Sequence, residues 1–134
     1  MNTQTNLQTK RIVKTANDMK ILIVEDDITL TTLWNYVFKL ITPDAKITWV
    51  KTADAAQSML WLALERGQYF DIIVSDYFLP GQMTGLDLWM KFADYPTLFL
   101  LNSVLEKSKL MKKIENFQDK PIFIEETNGS RSSD

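Results

Sequence analysis

The sequence predicts a doubly wound α/β fold built on a parallel sheet. Three observations predict it. Short apolar runs of strand length alternate with longer segments of helical periodicity. The run Phe70-Asp71-Ile72-Ile73-Val74-Ser75-Asp76 shows no apolar–polar alternation, as expected of a strand covered on both faces. Carboxylates and hydroxyls stand at the C-terminal ends of these runs, where open α/β sheets place their ligand chemistry.

Composition sets the limits. A chain of 134 residues, 46% of them hydrophobic, suffices for one domain with one sizeable core. The expected division is a polar N-terminal tail over 1–18, a domain over 19–126 and a polar tail over 127–134. A formal net charge of −2 gives no electrostatic case for nucleic-acid binding. No run approaches the roughly 18 apolar residues of a membrane span, and no signal peptide is visible, so a cytoplasmic protein is expected. The chain has no cysteine and no histidine. Disulfides, thiolate or imidazole metal sites, and Ser-His or Cys-His catalysis are therefore excluded. Nor can the chain carry a phosphohistidine of its own.

Residues 1–18 hold few apolar side chains, Leu7, Ile12 and Val13 among them, and read as a tail or as a short helix docked on the domain. Residues 19–24 read as a buried strand, with Glu25-Asp26-Asp27 directly after it. Asp27 or its neighbour can cap the helix predicted over 28–41, whose apolar face is Leu30, Leu33, Trp34, Val37, Phe38 and Ile41. Residues 46–50 form a second strand. Thr52 can cap a helix over 53–66 that Gly67 ends. Its run from Met59 to Leu64 is apolar nearly all round, so Trp61 or Leu62 is expected to be partly exposed or to face a partner.

The third strand covers 70–76. Thr84-Gly85-Leu86-Asp87 resembles a helix start, and Leu88, Trp89 and Phe92 continue a core face. A fourth strand is predicted over 97–101 and ended by Asn102-Ser103. Ser103-Val104-Leu105-Glu106 fits a capping box before a helix whose buried stripe is Leu110, Met111, Ile114 and Phe117. Residues 121–125 form a short fifth strand. The order β-α-β-α-β-α-β-α-β implies right-handed crossovers and helices on both faces. Glu25, Asp26, Asp76, Ser103 and Glu125 are thereby gathered at one sheet edge.

These residues match a family. Ile21-Leu22-Ile23-Val24-Glu25-Asp26-Asp27, then Asp71-Ile72-Ile73-Val74-Ser75-Asp76-Tyr77-Phe78-Leu79-Pro80-Gly81, then Met83-Thr84-Gly85-Leu86-Asp87-Leu88 resemble the receiver (response regulator) domain of two-component signalling. The resemblance covers about 19–126. It implies a flavodoxin-like five-stranded sheet in the order 2-1-3-4-5. It makes Asp76 the phosphoacceptor and Asp26 the main Mg²⁺ carboxylate, with Glu25 beside it. It makes the Phe78 backbone carbonyl a third protein ligand and Ser103 a hydrogen-bond donor to the phosphoryl group. The chemistry agrees. A carboxylate attacking phosphorus meets three negative oxygens, so a hard cation is needed, and Mg²⁺ prefers oxygen ligands. Each residue also has a plainer reading. Glu25-Asp26-Asp27 can be an acidic helix N-terminus, Asp76 a turn residue, and Ser103 a helix cap.

The sequence departs from the family in three places. The loop from Leu79 to Gly85 is one residue longer and is expected to bulge at Gln82. The family's Lys at the end of the fifth strand falls, by spacing, on Glu125. Lys120-Pro121 imitates the family's Lys-Pro pair but precedes the strand instead of ending it. The polar stretch 127–134 is too short for the usual fifth helix, so half of one sheet face should be uncovered and should find a partner: the N-terminal segment, a second copy of the chain or another protein. The family's aromatic switch position on the fifth strand holds Ile122.

The resemblance implies a stand-alone receiver in a phosphorelay. Its partner would be a histidine kinase or a histidine phosphotransfer protein. Any enzymatic activity would be limited to self-phosphorylation and autodephosphorylation of Asp76. The alternative is a degenerate receiver acting as a phosphorylation-independent interaction module. An Asp-nucleophile phosphatase fits poorly, because Asp26-Asp27-Ile28-Thr29 lacks the Asp-x-Asp spacing.

Overall fold

A computed structural model describes residues 19–103, 107–117 and 120–125, and for Glu125 the backbone alone. The expectations for 1–18 and 127–134, and for most of the capping box that opens at Ser103, lie outside the described residues.

Five parallel strands form one sheet: β1 (Lys20–Val24), β2 (Lys46–Val50), β3 (Ile72–Asp76), β4 (Leu98–Ser103) and β5 (Ile122–Glu125). Their order is β2-β1-β3-β4-β5, the expected 2-1-3-4-5. The helices are α1 (Ile28–Ile41), α2 (Ala53–Arg66), α3 (Gly85–Lys91) and α4 (Lys107–Lys113). The described residues end with β5.

Local chemistry sets the helix ends. Asp27 Oδ1 accepts the Thr29 N–H at 2.8 Å and opens α1. Thr52 Oγ1 accepts from the Ala55 N–H at 3.0 Å and opens α2, and Gly67 ends it with φ +65°, a left-handed conformation natural to glycine. At α3, Thr84 Oγ1 accepts from the Asp87 N–H (3.0 Å) while Asp87 Oδ2 accepts from the Thr84 N–H (2.9 Å), a complete capping box.

Two cores result. The larger joins Leu22, Val24 and Ile73 of the sheet to Leu60 of α2, Leu88 and Trp89 of α3, and Leu110 of α4. The smaller lies on the other sheet face, where Phe38 and Trp34 of α1 pack on Ile21, Ile23 and Val74.

Three expectations need correction. On α1 the buried side carries Thr31 and Phe38 with Trp34 beside them, whereas Leu33 is 55% and Ile41 69% exposed. At about 100° per residue, Leu33 lies some 130° around the helix from the middle of that group. The fourth strand does not stop before Asn102-Ser103. Asn102 pairs with Asp76 and Ser103 with Glu125, so the ladder runs on to the site. The helix over Leu110 ends at Lys113, and the chain tightens into turns in which the Ile114 N–H donates to Met111 and that of Phe117 to Ile114. Ile114 is still fully buried, and Phe117 packs against the larger core. Trp61 and Leu62 are 48% and 41% exposed, as their position in an all-round apolar run implies.

Candidate metal centre

The parallel register brings the C-terminal ends of β1, β3, β4 and β5 to one edge. Glu25 follows β1 directly. Its N–H continues the ladder to the Val50 carbonyl at 3.0 Å. Its own carbonyl accepts the Trp49 indole N–H at 2.6 Å. Its side-chain Oε2 accepts from the Asp27 N–H at 3.1 Å. These bonds hold a buried carboxylate in place. Asp26 is exposed, and Asp76, the last residue of β3, is half-buried.

Glu25, Asp26 and Asp76 each offer a carboxylate oxygen, and these oxygens lie within 4.8 Å of one another. The electrostatic result is visible on Glu25, whose carboxyl is pushed up from 4.5 to about 7. Burial is the main cause. The Asp27 N–H opposes it, and the negative charges of Asp76, Asp26 and Asp27 add to it. Three clustered carboxylates with oxygen donors only suit a hard divalent cation, which would offset their mutual repulsion.

The surrounding backbone is tightly held. Ser75 Oγ donates to the Asp76 carbonyl at 2.9 Å. The Tyr77 N–H donates to Asn102 O (2.8 Å), and Tyr77 O accepts from the Gly85 N–H (2.9 Å). The Tyr77 hydroxyl accepts from Lys113 Nζ at 3.1 Å, which ties the end of α4 to the residue after Asp76. A methyl group on Gly85 would lie 2.0 Å from Asp76 O and 2.8 Å from Ser75 Oγ, so only glycine lets α3 approach this closely. Gly81, in the loop between, takes φ +95°.

The remaining predicted residues are placed as follows. Ser103 is buried at the last position of β4, one residue beyond the partner of Asp76. Phe78 is 53% exposed and its ring meets Tyr77 edge-on. Glu125 ends β5 directly opposite Ser103. Lys120 precedes β5, toward the opposite end of the sheet. Gln82 is exposed beside Gly81. Sequence reasoning missed Trp49 and Gly85. A glycine at the first position of a helix was a usable signal for the second. Nothing in the sequence signals the first.

No protein-family model matches the chain, and no curated protein matches its sequence. Solved structures do match. The phosphorylated cyanobacterial phytochrome response regulator RcpA is 16% identical, with 85% of this chain and 84% of that one aligned at a TM-score of 0.68. The fold is the receiver fold. The Mn²⁺-bound response regulator Rcp1 aligns at 17% identity, 85% of each chain and a TM-score of 0.67. The signal receiver domain of a putative Luxo repressor protein from Vibrio parahaemolyticus aligns at 24% identity over 86% and 84% of the chains, with a TM-score of 0.61. At these identities the likeness establishes the receiver fold, and the acidic cluster is consistent with a receiver metal site. Among the described residues no helix is long and apolar enough to cross a membrane.

Proposed function

We propose that this chain is a response-regulator receiver that accepts a phosphoryl group on Asp76. The observation that carries this reading is the convergence of the Glu25, Asp26 and Asp76 carboxylates within 4.8 Å, at the C-terminal edge of a receiver-fold sheet. The donor would be a phosphohistidine on a histidine kinase or phosphotransfer protein, since this chain has no histidine. The Asp76 carboxylate oxygen forms a bond to phosphorus as the phosphorus–nitrogen bond breaks, and the imidazole leaves with that electron pair.

Glu25 and Asp26, with Asp76 and the Phe78 carbonyl, would hold Mg²⁺. When bound, the ion neutralises charge on the phosphoryl oxygens. Ser103 donates a hydrogen bond to one of those oxygens. The expected setting is the cytoplasm, where such kinases have their soluble domains. Phosphorylation would change contacts with a protein partner.

One observation favours a second reading. Glu125 ends β5 opposite Ser103, and by sequence spacing it falls where the family resemblance expects a Lys. A degenerate receiver that binds partners without phosphorylation would tolerate this.

Incubation with acetyl phosphate and Mg²⁺, followed by intact-mass measurement, separates the two. A single phosphate adduct that Asp76→Ala abolishes supports the phosphoacceptor. Absence of an adduct, with no Mg²⁺ binding by calorimetry, overturns it in favour of the interaction module.

A further inference from the structure

Four aromatic rings meet at the end of the sheet away from the acidic cluster. Tyr69 shortly precedes β3 and Tyr95 shortly precedes β4, so both stand at the N-terminal ends of strands. Tyr69 meets Tyr95 at 5.2 Å and 77°. Tyr95 meets Phe92 at 5.8 Å and 88°, and Phe92 meets Trp61 of α2 at 5.1 Å and 56°. Each ring is steeply inclined to the next, so the four turn corners around a space instead of closing into a stack. That space is a cavity of about 410 Å³, and all four rings line it. Its volume falls in the range of small-ligand sites, and aromatic walls with a few polar groups are their usual lining. The exposed Trp61 keeps the cavity in contact with water.

Two charges of opposite sign border the rings. Lys91 closes α3, and Asp94 follows in the turn after it; both line the cavity and both are exposed. The Tyr95 N–H closes that turn on the Phe92 carbonyl at 2.9 Å, which holds Asp94 beside the aromatic walls. Neither charged side chain has an ion-pair or hydrogen-bond partner among the described residues.

We infer that this cavity binds a small aromatic zwitterion, a molecule of the aromatic amino-acid class. Its ring lies among Trp61, Tyr69, Phe92 and Tyr95, its carboxylate meets Lys91 and its ammonium meets Asp94. A planar ring gains face and edge contacts from walls set at steep angles, and an aliphatic group of equal bulk does not. The two opposed charges suit a ligand of zero net charge and fix its orientation. The site shares no residue with the acidic cluster and does not depend on Asp76 as phosphoacceptor.

The test is calorimetric titration of the full chain with L-tryptophan, with the contact mapped by NMR of isotope-labelled protein. The expected result is saturable binding, with shifts centred on the Trp61 indole N–H and the backbone of residues 91–95. L-Leucine lacks the ring and indole lacks the charges, so each should bind about tenfold more weakly. Trp61→Ala should weaken L-tryptophan binding about tenfold, and Asp94→Asn should weaken it several-fold. Leu62→Ala, exposed on the same helix but outside the cavity, should leave it unchanged. Absence of saturable binding at millimolar L-tryptophan overturns the inference. So do shifts centred elsewhere, equal binding of L-leucine or indole, or an equal loss in Leu62→Ala. Asp94→Asn is a surface change that leaves the fold intact. Unaltered affinity in that variant overturns the recognition of a zwitterion.

Discussion

Gly85 stands so close to Asp76 that a single added carbon would lie 2.0 Å from the Asp76 carbonyl oxygen. The obstacle is backbone, which cannot swing aside as a flexible side chain could. Gly85→Ala must therefore push α3 away from the end of β3. It should also strain the bond from the Gly85 N–H to Tyr77 O. The expected loss is about 3 kcal/mol, measured by urea denaturation. Thr84→Ala removes one half of the adjoining capping box without that clash and should cost only about 1 kcal/mol. Equal losses in the two variants would contradict the close approach.

Glu25 predicts a pH dependence. Its carboxyl titrates at about 7 in the folded chain against 4.5 ordinarily. Protonation therefore favours the folded state. The stabilising contribution is complete below pH 4.5 and is lost as pH rises through about 7. The full difference is on the order of 3 kcal/mol. Metal-free protein should lose stability across that window, and Glu25→Gln should remove this part of the slope. Mg²⁺ affinity should rise over the same window, because the ion competes with the proton for the carboxylate. Chemical denaturation at a series of pH values checks the first outcome, and calorimetric titration checks the second.

Asp71, at the opposite end of β3, has a structural task. Its Oδ2 accepts from the Lys20 N–H at 2.8 Å, and its backbone pairs with both Lys20 and Leu98. Asp71→Ala leaves the Lys20 N–H without that acceptor in a part-buried setting and should cost about 2 kcal/mol. Asp71→Asn keeps an acceptor oxygen and should recover most of the loss. Metal binding at the far edge should be unchanged in both, as calorimetry would show.

Glu125→Lys tests the edge position opposite Ser103. If Asp76 accepts phosphate, a cation at the end of β5 should speed labelling by acetyl phosphate roughly tenfold, as expected of an electrostatic donor in a partly desolvated site. Intact mass against time measures it. No acceleration would place residue 125 outside the reach of the phosphoryl group.

The parallel sheet and the clustering of Glu25, Asp26 and Asp76 were legible because both follow from topology, whereas the strand order 2-1-3-4-5 came with the family resemblance. Alternating strands and helices with right-handed crossovers leave few arrangements, and each one gathers the C-terminal strand ends. The rest depends on packing. The glycine requirement at Gly85 exists only because α3 is laid against the end of β3. The indole bond from Trp49 to Glu25 exists only because the register sets Ile23 beside Trp49. Periodicity marked both Phe38 and Leu33 as apolar positions on α1, and it could not say which of them the sheet would meet. The end of β4 was misread because Asn102 and Ser103 are poor strand formers in isolation, whereas pairing with Asp76 and Glu125 holds them in the ladder.

The bond between Trp49 and the Glu25 carbonyl, at 2.6 Å, has an optical consequence. The other three tryptophans sit elsewhere: Trp34 stacks on Phe38, Trp61 meets Phe92, and Trp89 meets Phe117. Trp49 alone among the four ties its ring to a residue of the acidic cluster. Any shift of the Glu25 backbone as charge enters the cluster alters the polarity at that indole. The chain thus carries a built-in fluorophore at its acidic edge, and the emission of a protein retaining only Trp49 would follow occupancy without an added label.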